Sequence, residues 1–234
     1  MVLRIYYVYN KRMNIMNLLY FFTNKSYRSG LITKIFHDKD VHQTSPVTCM
    51  NRYPETFELC KSYFNGNSNL NILSFGCCTG EEVLTLREYF PNANIVGAEI
   101  NKFCLKECNN LTVDDKISFI ESTDTNIKNN GPYDAIFCMA VLERTPQRVI
   151  NNKITSLKKI YPFEKFEEQV IKLDSSLNNG GLLVIENTHY RLSDTSVANN
   201  YYQYGSRIHQ TSIFDKNSEL IDYNLDVNPI NVKH

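Results

Sequence analysis

Residues 71–101 read NILSFGCCTGEEVLTLREYFPNANIVGAEIN and carry the clearest structural pattern in the chain. A short apolar run stops at Gly76, and a tight loop to Gly80 leads into a segment with helical spacing that Pro91 closes. A second apolar run follows and ends in the acidic residue Glu99. Strand, glycine loop, helix and strand in this order predict the first unit of a parallel sheet with crossover helices.

The loop and the acidic residue together predict a nucleoside-containing ligand at the carboxyl edge of the sheet. Glycines allow close backbone approach to a ligand, and a carboxylate about 20 residues later can accept ribose hydroxyls. The NAD fingerprint GxGxxG is incomplete, because Cys78 and Glu81 occupy its second and third glycine positions. Glu81 and Glu82 at the helix start would repel a pyrophosphate and suit a cationic or zwitterionic ligand, which favours S-adenosylmethionine over NAD.

Strand-like and helix-like segments alternate along the chain to about residue 190. Apolar runs predict strands, and helical spacing predicts the segments between them: strands 70–75, 94–100, 116–121, 133–139 and 182–186, with helices 81–90, 102–109, 145–157 and 163–177. Another helix is expected to begin near Pro54. Residues 207–214 and 220–225 are expected to form an antiparallel hairpin at the sheet edge.

From about residue 70 to 190 the chain resembles class I S-adenosylmethionine-dependent methyltransferases. The first strand and loop of that family read hhDhGxGxG, and residues 72–80 here read ILSFGCCTG, with Ser74 at the usually acidic position. The version with Cys78 and two following glutamates is similar to the chemotaxis-receptor glutamate methyltransferases. Three further segments match the family in order: FIESTD at 119–124, YDAIFCMAVL at 133–142 and NGGLLVI at 179–185.

This resemblance implies an α/β fold that is Rossmann-like and doubly wound. Its sheet would be seven-stranded and mainly parallel, with an antiparallel edge hairpin, in a cofactor-binding domain over residues 70–234 behind an N-terminal helical or cap segment over 1–69. It implies S-adenosyl-L-methionine as cofactor and Glu99 as the ribose ligand. The cofactor-binding residues it implies are Gly76, Cys77, Cys78, Thr79, Gly80, Glu99, Ile100, Thr123, Asp124 and Met139. In this family the segment before the first strand often covers the cofactor, and here it holds His42, Arg52 and Tyr53.

The methyl acceptor is expected beyond the fourth and fifth strands. His189 is the candidate catalytic base, with a hydrogen-bonded loop histidine as the alternative, and Tyr190 or Arg191 could orient an acceptor. The Asn-or-Asp-Pro-Pro-aromatic signature of many DNA and protein amino-methylating enzymes is absent after the fourth strand, which disfavours DNA N-methylation. A protein carboxylate or a small molecule is favoured as acceptor. Two alternatives stay open, a non-catalytic S-adenosylmethionine-binding module and an NAD-dependent enzyme.

Composition narrows the class of protein. The 234 residues are 42% apolar and 21% charged, which is typical of a globular domain. A net charge of zero does not indicate a globally basic nucleic-acid binder, and no apolar run approaches the roughly 18 residues that span a bilayer. Seven cysteines without paired CxxC spacings predict neither a disulfide scaffold nor a metal site. We expect reduced thiols and a cytoplasmic protein.

Residues 1–40 are basic and rich in aromatic side chains. A secretory signal is disfavoured, because no small-residue cleavage site follows the apolar run at 15–22. A membrane-surface or nucleic-acid-binding arm is a second interpretation. We expect one or two helices that pack on the domain with a solvated basic face.

Overall fold

The structure is a computed structural model that describes residues 21–67, 69–209, 212–222 and 226–234. Its main sheet has seven strands: β1 (Asn71–Phe75), β2 (Asn94–Glu99), β3 (Ile117–Glu121), β4 (Tyr133–Met139), β5 (Leu177–Glu186), β6 (Tyr201–His209) and β9 (Asp226–Lys233). Their order across the sheet is β3-β2-β1-β4-β5-β9-β6. The first five run parallel, and β9 is antiparallel to both β5 and β6. The expected mainly parallel, seven-stranded α/β fold is confirmed.

Helices connect and cover the strands. They are α1 (Lys25–Phe36), α2 (Pro54–Phe64), α3 (Glu81–Tyr89), α4 (Lys102–Cys108), α5 (Asp124–Asn130), α6 (Pro146–Asn151) and α7 (Phe163–Asp174), with 3-10 turns at Leu192–Asp194 and Ala198–Asn200. Proline at the first position begins α2, and Asn65 in the left-handed conformation ends it. α1 and α2 provide the N-terminal helical segment, whereas the predictions for residues 1–20 lie outside the described residues.

The chain order reverses at β1, which lies between β2 and β4. In open parallel sheets the crevice at such a switch point, beyond the carboxyl ends of the strands, is the usual ligand site. Three loops converge there. The loop after β1 begins at Gly76, the loop after β2 begins at Ile100, and the loop after β4 begins at Ala140.

The sheet is buried on both faces because alternate side chains of the central strands point to opposite sides. Leu73 and Ile136 belong to the core that includes Phe166 and other residues of α7. Ile72 and Phe137 belong to the second core, which lies under α2 and α3. The near-continuous apolar runs that predict β1 and β4 reflect this double burial.

Two helices end earlier than predicted. The helix expected over 145–157 ends at Asn151, because the backbone N–H of Leu157 donates instead to the carbonyl of Ser218. The helix expected to reach 177 ends at Asp174, and Leu177 begins β5, paired with Tyr133. Tertiary backbone pairing thus replaces helix in both places.

The antiparallel hairpin at the sheet edge is present, but other residues build it. β6 and β9 form it, and the residues between them include a separate two-stranded sheet of β7 (Ile213–Phe214) and β8 (Leu220–Asp222). This small sheet folds back onto the domain, where Glu219 bridges to Ser156. A turn at 215–218 joins β7 to β8, and in it the backbone N–H of Ser218 donates to the carbonyl of Asp215.

Among the helices that the structure describes, none combines the length and the apolar character needed to cross a lipid bilayer.

Candidate active site

A cleft of about 1000 Å³, counting its open mouth, lies at the carboxyl ends of β1, β2 and β4. Small-molecule sites have a comparable size and commonly lie at this place in α/β folds. Six of the residues predicted to bind the cofactor line it: Gly76, Cys77, Cys78, Glu99, Ile100 and Met139. The loop after β1 and the end of β2 are therefore brought together as expected.

Gly76 makes room where the loop after β1 approaches the loop after β4. Its φ of +76° lies in the left-handed region, and a Cβ there would come within 2.5 Å of Val141 Cγ2. A larger residue would therefore meet both backbone strain and a clash.

Glu99 is 7% exposed and is oriented by the backbone of two loops. Its Oε2 accepts the N–H of Cys78 at 2.8 Å, and its Oε1 accepts the N–H of Asn101 at 2.7 Å. Burial raises the pKa of Glu99, and these amides partly offset that effect. Each carboxylate oxygen has a second lone pair, so the group can still accept hydroxyls from a ligand.

A second carboxylate, that of Glu82, faces the cleft from the first turn of α3. Its Oε1 accepts the hydroxyl of Ser74 at 2.7 Å. Burial raises the pKa of Glu82 to about 8, against the opposing effects of Ser74 and Arg52. A cationic group of a ligand would satisfy this half-buried carboxylate in its ionised form.

Residues 41–53, which we call the strap, form one wall of the cleft between α1 and α2. Within it, Gln43 Oε1 accepts the backbone N–H groups of Thr44 and Ser45 at 2.9 and 3.2 Å. Tyr53 accepts a hydrogen bond from Asn187 Nδ2 at 2.8 Å, which ties the strap to the end of β5. The strap thus runs from α1 to the carboxyl end of β5.

His42, predicted as a covering residue, lines the cleft but is itself only 4% exposed. Its Nδ1 lies 2.7 Å from the hydroxyl of Tyr161, and its Nε2 lies 3.3 Å from Gln169 Oε1. Burial and the nearby Lys165 lower the pKa of His42 to about 3, so the ring is neutral near pH 7. Arg52 also lines the cleft, with its guanidinium 5.2 Å from the centre of the Tyr53 ring.

Buried Arg144 holds the strap against the loop after β4. Its Nε donates to the carbonyl of His42 at 2.6 Å, and its Nη2 donates to the carbonyl of Val41 at 2.7 Å. Burial lowers the pKa of the guanidinium, but an arginine stays charged at neutral pH. Charge-assisted bonds of this kind are the stronger class of hydrogen bond.

Glu143, next to Arg144, places a third acidic group behind the strap. It is 6% exposed, and its Oε1 accepts Gln43 Nε2 at 3.4 Å. Burial raises the pKa of Glu143 to about 7, although Gln43 and Arg52 favour the charged form. A carboxylate with a pKa near the working pH is suited to proton transfer.

Four of the predicted cofactor residues lie outside the cleft. Thr79 donates to Glu81 Oε2 at 2.7 Å, and Gly80 packs against Leu111. Thr123 and Asp124 lie along a smaller adjoining hollow, with Ser122 next to both spaces. The family segment at 119–124 therefore reaches the main cleft through Ser122.

His189, the predicted base, lies away from the cleft and is fully buried. Its Nδ1 lies 3.1 Å from the carbonyl of Ser212 and its Nε2 lies 3.3 Å from the carbonyl of Arg144. Its ring packs on Phe214 of β7, and burial lowers its pKa. Tyr190 is likewise buried, and its hydroxyl donates to the carbonyl of Tyr161 at 2.6 Å. His189 therefore packs against the small sheet, and Tyr190 belongs to the hydrophobic core.

Three residues in or behind the cleft wall were absent from the predicted set: Gln43, Glu82 and Glu143. Glu82 carried a sequence signal, because acidic residues at the start of α3 already indicated a cationic ligand. Glu143 directly follows the family segment 133–142 and could have been found there. No local pattern indicated Gln43, because its hydrogen-bond partner Glu143 lies 100 residues away in the sequence.

Among solved structures, the chain is similar to the plantazolicin methyltransferase BpumL in complex with SAH, at 16% identity over 73% of this chain, with a TM-score of 0.44. The chain spans 57% of the length of that protein. It is also similar to a precorrin-6y C5,15-methyltransferase from Geobacter metallireducens, at 14% identity over 80% of this chain and 94% of the other, with a TM-score of 0.47.

A comparison with curated protein sequences finds no match. A family model described as a methyltransferase domain matches residues 66–223. That match covers more than half of the sequence, so the chain belongs to the methyltransferase domain family, and the prediction of a class I S-adenosylmethionine-dependent methyltransferase is confirmed.

Proposed function

We propose that this enzyme transfers the methyl group of S-adenosylmethionine to a small acceptor that is uncharged or cationic and carries an N–H or O–H group. The charge of the cleft carries this proposal. Among the described residues that line it, the acidic side chains are Asp40, Glu82 and Glu99, and the cationic one is Arg52. A cationic ligand can pair with Glu82 in its ionised form, whereas an anion would keep that carboxyl protonated, so the cleft favours cations over anions.

The same charges suit the cofactor. Glu99 would accept the ribose hydroxyls at the end of β2, and Glu82 would accept the ammonium group of the methionine tail. The sulfonium adds a further positive charge that acidic walls stabilise. A dinucleotide would bring a pyrophosphate into this acidic cleft, so the charges speak against the NAD alternative.

When bound, S-adenosylmethionine supplies a methyl group that its sulfonium already activates. The protein then has to orient the acceptor, exclude water and receive a proton. The strap and its contacts with Arg144 would keep the cleft closed on one side. We assign the proton to Glu143, because this carboxylate lies behind Gln43 at the cleft wall.

A protein carboxylate, the acceptor suggested by the chemotaxis-like loop, fits the cleft less well. Its negative charge would face three acidic side chains and one arginine. Arg52 is exposed and already stacks on Tyr53, so water screens its positive charge and weakens its attraction for a carboxylate. A neutral hydroxyl or an amine meets no such repulsion.

The test measures binding to the full-length protein saturated with S-adenosylhomocysteine. Phenethylamine, 2-phenylethanol and phenylacetate have similar shapes and differ in charge. Comparing their affinities therefore separates the effect of charge from the effect of shape. We expect phenethylamine to bind best and phenylacetate worst. Transfer of labelled methyl from S-adenosylmethionine, followed by mass spectrometry, identifies the methylated atom. Preferential binding or methylation of the carboxylate would overturn the assignment of acceptor charge.

A further inference from the structure

Gln43 of the strap lines the cleft and contacts Glu143 in the loop after β4. Its Oε1 accepts the backbone N–H groups of Thr44 and Ser45 at 2.9 and 3.2 Å, and its Nε2 donates to Glu143 Oε1 at 3.4 Å. The side-chain amide therefore bridges the strap backbone and a carboxyl group that lies behind the cleft wall.

The partners of this amide allow it one orientation. Two N–H donors face one end of the amide and a carboxylate oxygen faces the other end, so the oxygen of Gln43 lies toward the strap and its nitrogen lies toward Glu143. The reverse orientation would set the amide NH2 group against two N–H groups and the amide oxygen against the carboxylate. The strap thus presents a hydrogen-bond donor to Glu143.

We propose that Gln43 is a positioning residue for methyl transfer, which holds the Glu143 side chain in its carboxylate form, ready to take the proton of the acceptor. This role rests on the proposed function, which assigns the proton to Glu143. Because the donor belongs to the strap, Glu143 keeps its hydrogen bond only while the strap is seated against the loop after β4. The contact therefore couples the cleft wall to the base.

Glu143 needs such a donor because its side chain is only 6% exposed. Burial disfavours the charged form of a carboxyl group, and a hydrogen bond from a donor favours that form. Within the described part of the chain, the side-chain hydrogen bond of Glu143 comes from Gln43. This bond and the positive charge of Arg52 oppose the burial that raises the pKa of Glu143 to about 7.

The other ionisable groups near Glu143 keep one charge state between pH 6 and pH 9. Arg52 of the strap and the neighbouring Arg144 stay positive, as guanidinium groups do in proteins. Tyr161, which precedes α7, stays neutral because burial raises its pKa. His42 stays neutral as well, because its pKa is lowered to about 3. A change of rate in this range therefore reports the Glu143 carboxyl itself.

Two substitutions separate the contact with Glu143 from the contacts within the strap. Gln43→Met keeps a side chain of similar length and removes both sets of hydrogen bonds. Gln43→Glu keeps an oxygen for the two strap N–H groups and replaces the donor by a second carboxyl group that faces Glu143. Gln147→Met is the matched control, because Gln147 is exposed on α6 and donates to Asn151 outside the cleft.

The first measurement is the titration of Glu143 in the full-length protein, by NMR of isotope-labelled side-chain carboxyl carbons. Glu143→Gln identifies the signal, and saturation with S-adenosylhomocysteine keeps Glu82 paired with the ligand. We expect the Glu143 midpoint to rise by about half to one pH unit in Gln43→Met and by about one unit or more in Gln43→Glu. It should stay unchanged in Gln147→Met.

The second measurement is methyl transfer from S-adenosylmethionine to phenethylamine, expressed as the ratio of variant to wild-type rate so that titration of the amine cancels. In Gln43→Met the rate should fall about three- to eightfold at pH 6.5 and approach wild type at pH 9, where the carboxyl is ionised in both proteins. A strap that had only lost its shape would lower the rate equally at both pH values.

Unchanged Glu143 midpoints in both Gln43 variants would overturn the proposal. So would a wild-type midpoint in Gln43→Glu alone, because Gln43 would then serve only the strap backbone. Thermal unfolding and S-adenosylhomocysteine binding show whether each variant keeps its fold. Wild-type protein that methylates neither phenethylamine nor 2-phenylethanol would instead count against the proposed function, while the midpoints still decide whether Gln43 acts on Glu143.

Discussion

The hydroxyl of Ser74 donates to Glu82 Oε1 at 2.7 Å, which brings the carboxylate of α3 to the end of β1. Ser74 occupies the place where related methyltransferases usually have an acid, so the carboxylate missing from the strand is supplied by the helix. The serine is fully buried and Glu82 lines the cleft. Under the proposed function, this pair would let a loop without the usual acid hold the ammonium group of the cofactor.

Glu82→Gln should remove a pH dependence of S-adenosylhomocysteine binding. The pKa of Glu82 is raised to about 8 in the free protein, so the group is mostly protonated below pH 8 and must ionise to pair with an ammonium. Affinity should therefore rise from pH 6 to 7.5, approaching about tenfold per pH unit, with a proton released on binding. Calorimetry in two buffers of different ionisation enthalpy counts that proton. Glu81→Gln, which alters the neighbouring acid outside the cleft, should keep the slope, and an unchanged slope in Glu82→Gln would refute the pairing.

Glu99→Gln should weaken S-adenosylhomocysteine binding by about 10- to 100-fold, the value of a hydrogen bond to a charged group. The matched control is Glu121→Gln, because Glu121 is the register partner of Glu99 on β3 and lies outside the cleft. Calorimetric titration gives both affinities, and thermal unfolding shows whether either variant has lost its fold. Equal affinities in the two variants would contradict the ribose role of Glu99.

Gly76→Ala should destabilise the protein more than Gly180→Ala. Both glycines have a φ near +75°, but a Cβ at Gly180 has no neighbour within 4 Å, whereas one at Gly76 meets Val141. In each variant, alanine in the left-handed conformation lowers the free energy of unfolding by about 1 kcal/mol. In Gly76→Ala, overpacking against Val141 lowers it further, by about 1–3 kcal/mol. Urea unfolding measures the two free energies. Val141→Ala combined with Gly76→Ala should recover part of the lost stability. If the two substitutions instead have additive effects on the free energy of unfolding, the Cβ at residue 76 does not clash with Val141.

Arg144→Met should release the strap. The substitution removes two charge-assisted hydrogen bonds from the carbonyls of Val41 and His42, at a cost of about 2 kcal/mol or more. Limited proteolysis should then cut within 41–53 faster, and S-adenosylhomocysteine should bind more weakly. Arg148→Met on the exposed side of α6 should change neither result. Unaltered cleavage in Arg144→Met would mean that other contacts hold the strap.

Glu143→Gln should slow methyl transfer to an accepted amine or alcohol by about 10²- to 10⁴-fold. Because the pKa of Glu143 is raised to about 7, the wild-type rate should climb with pH and level off above 7, as the carboxylate becomes the ionised base. S-adenosylhomocysteine binding should stay within about twofold of wild type, because Glu143 is not among the residues that line the cofactor cleft. Rate profiles over pH 5.5–8.5 check this, with His189→Gln as the comparison. A loss in His189→Gln alone would return the base to His189.

Sequence patterns predicted the elements that local contacts stabilise and missed those that depend on contacts between distant segments. Residues 71–101 specify β1, its loop, α3 and β2 through local periodicity, glycine placement and a closing proline, so this unit was predictable. Local spacing predicts helix at 152–157, but there a backbone hydrogen bond to Ser218 replaces the helix. Likewise, β6 and β9 pair across a long insertion that no local pattern encodes.

Sequence patterns alone predicted the family, the parallel sheet, the glycine loop and the acidic residue at the end of β2, because each follows from patterns within a few turns or strands. Only the tertiary structure decided which side chains share the cleft. It joins Gln43 to Glu143, brings Glu82 to Ser74, and turns His189 toward Ser212 and Phe214 instead. The physical reason is that such contacts depend on how distant segments pack, and packing is settled by burial over the whole core.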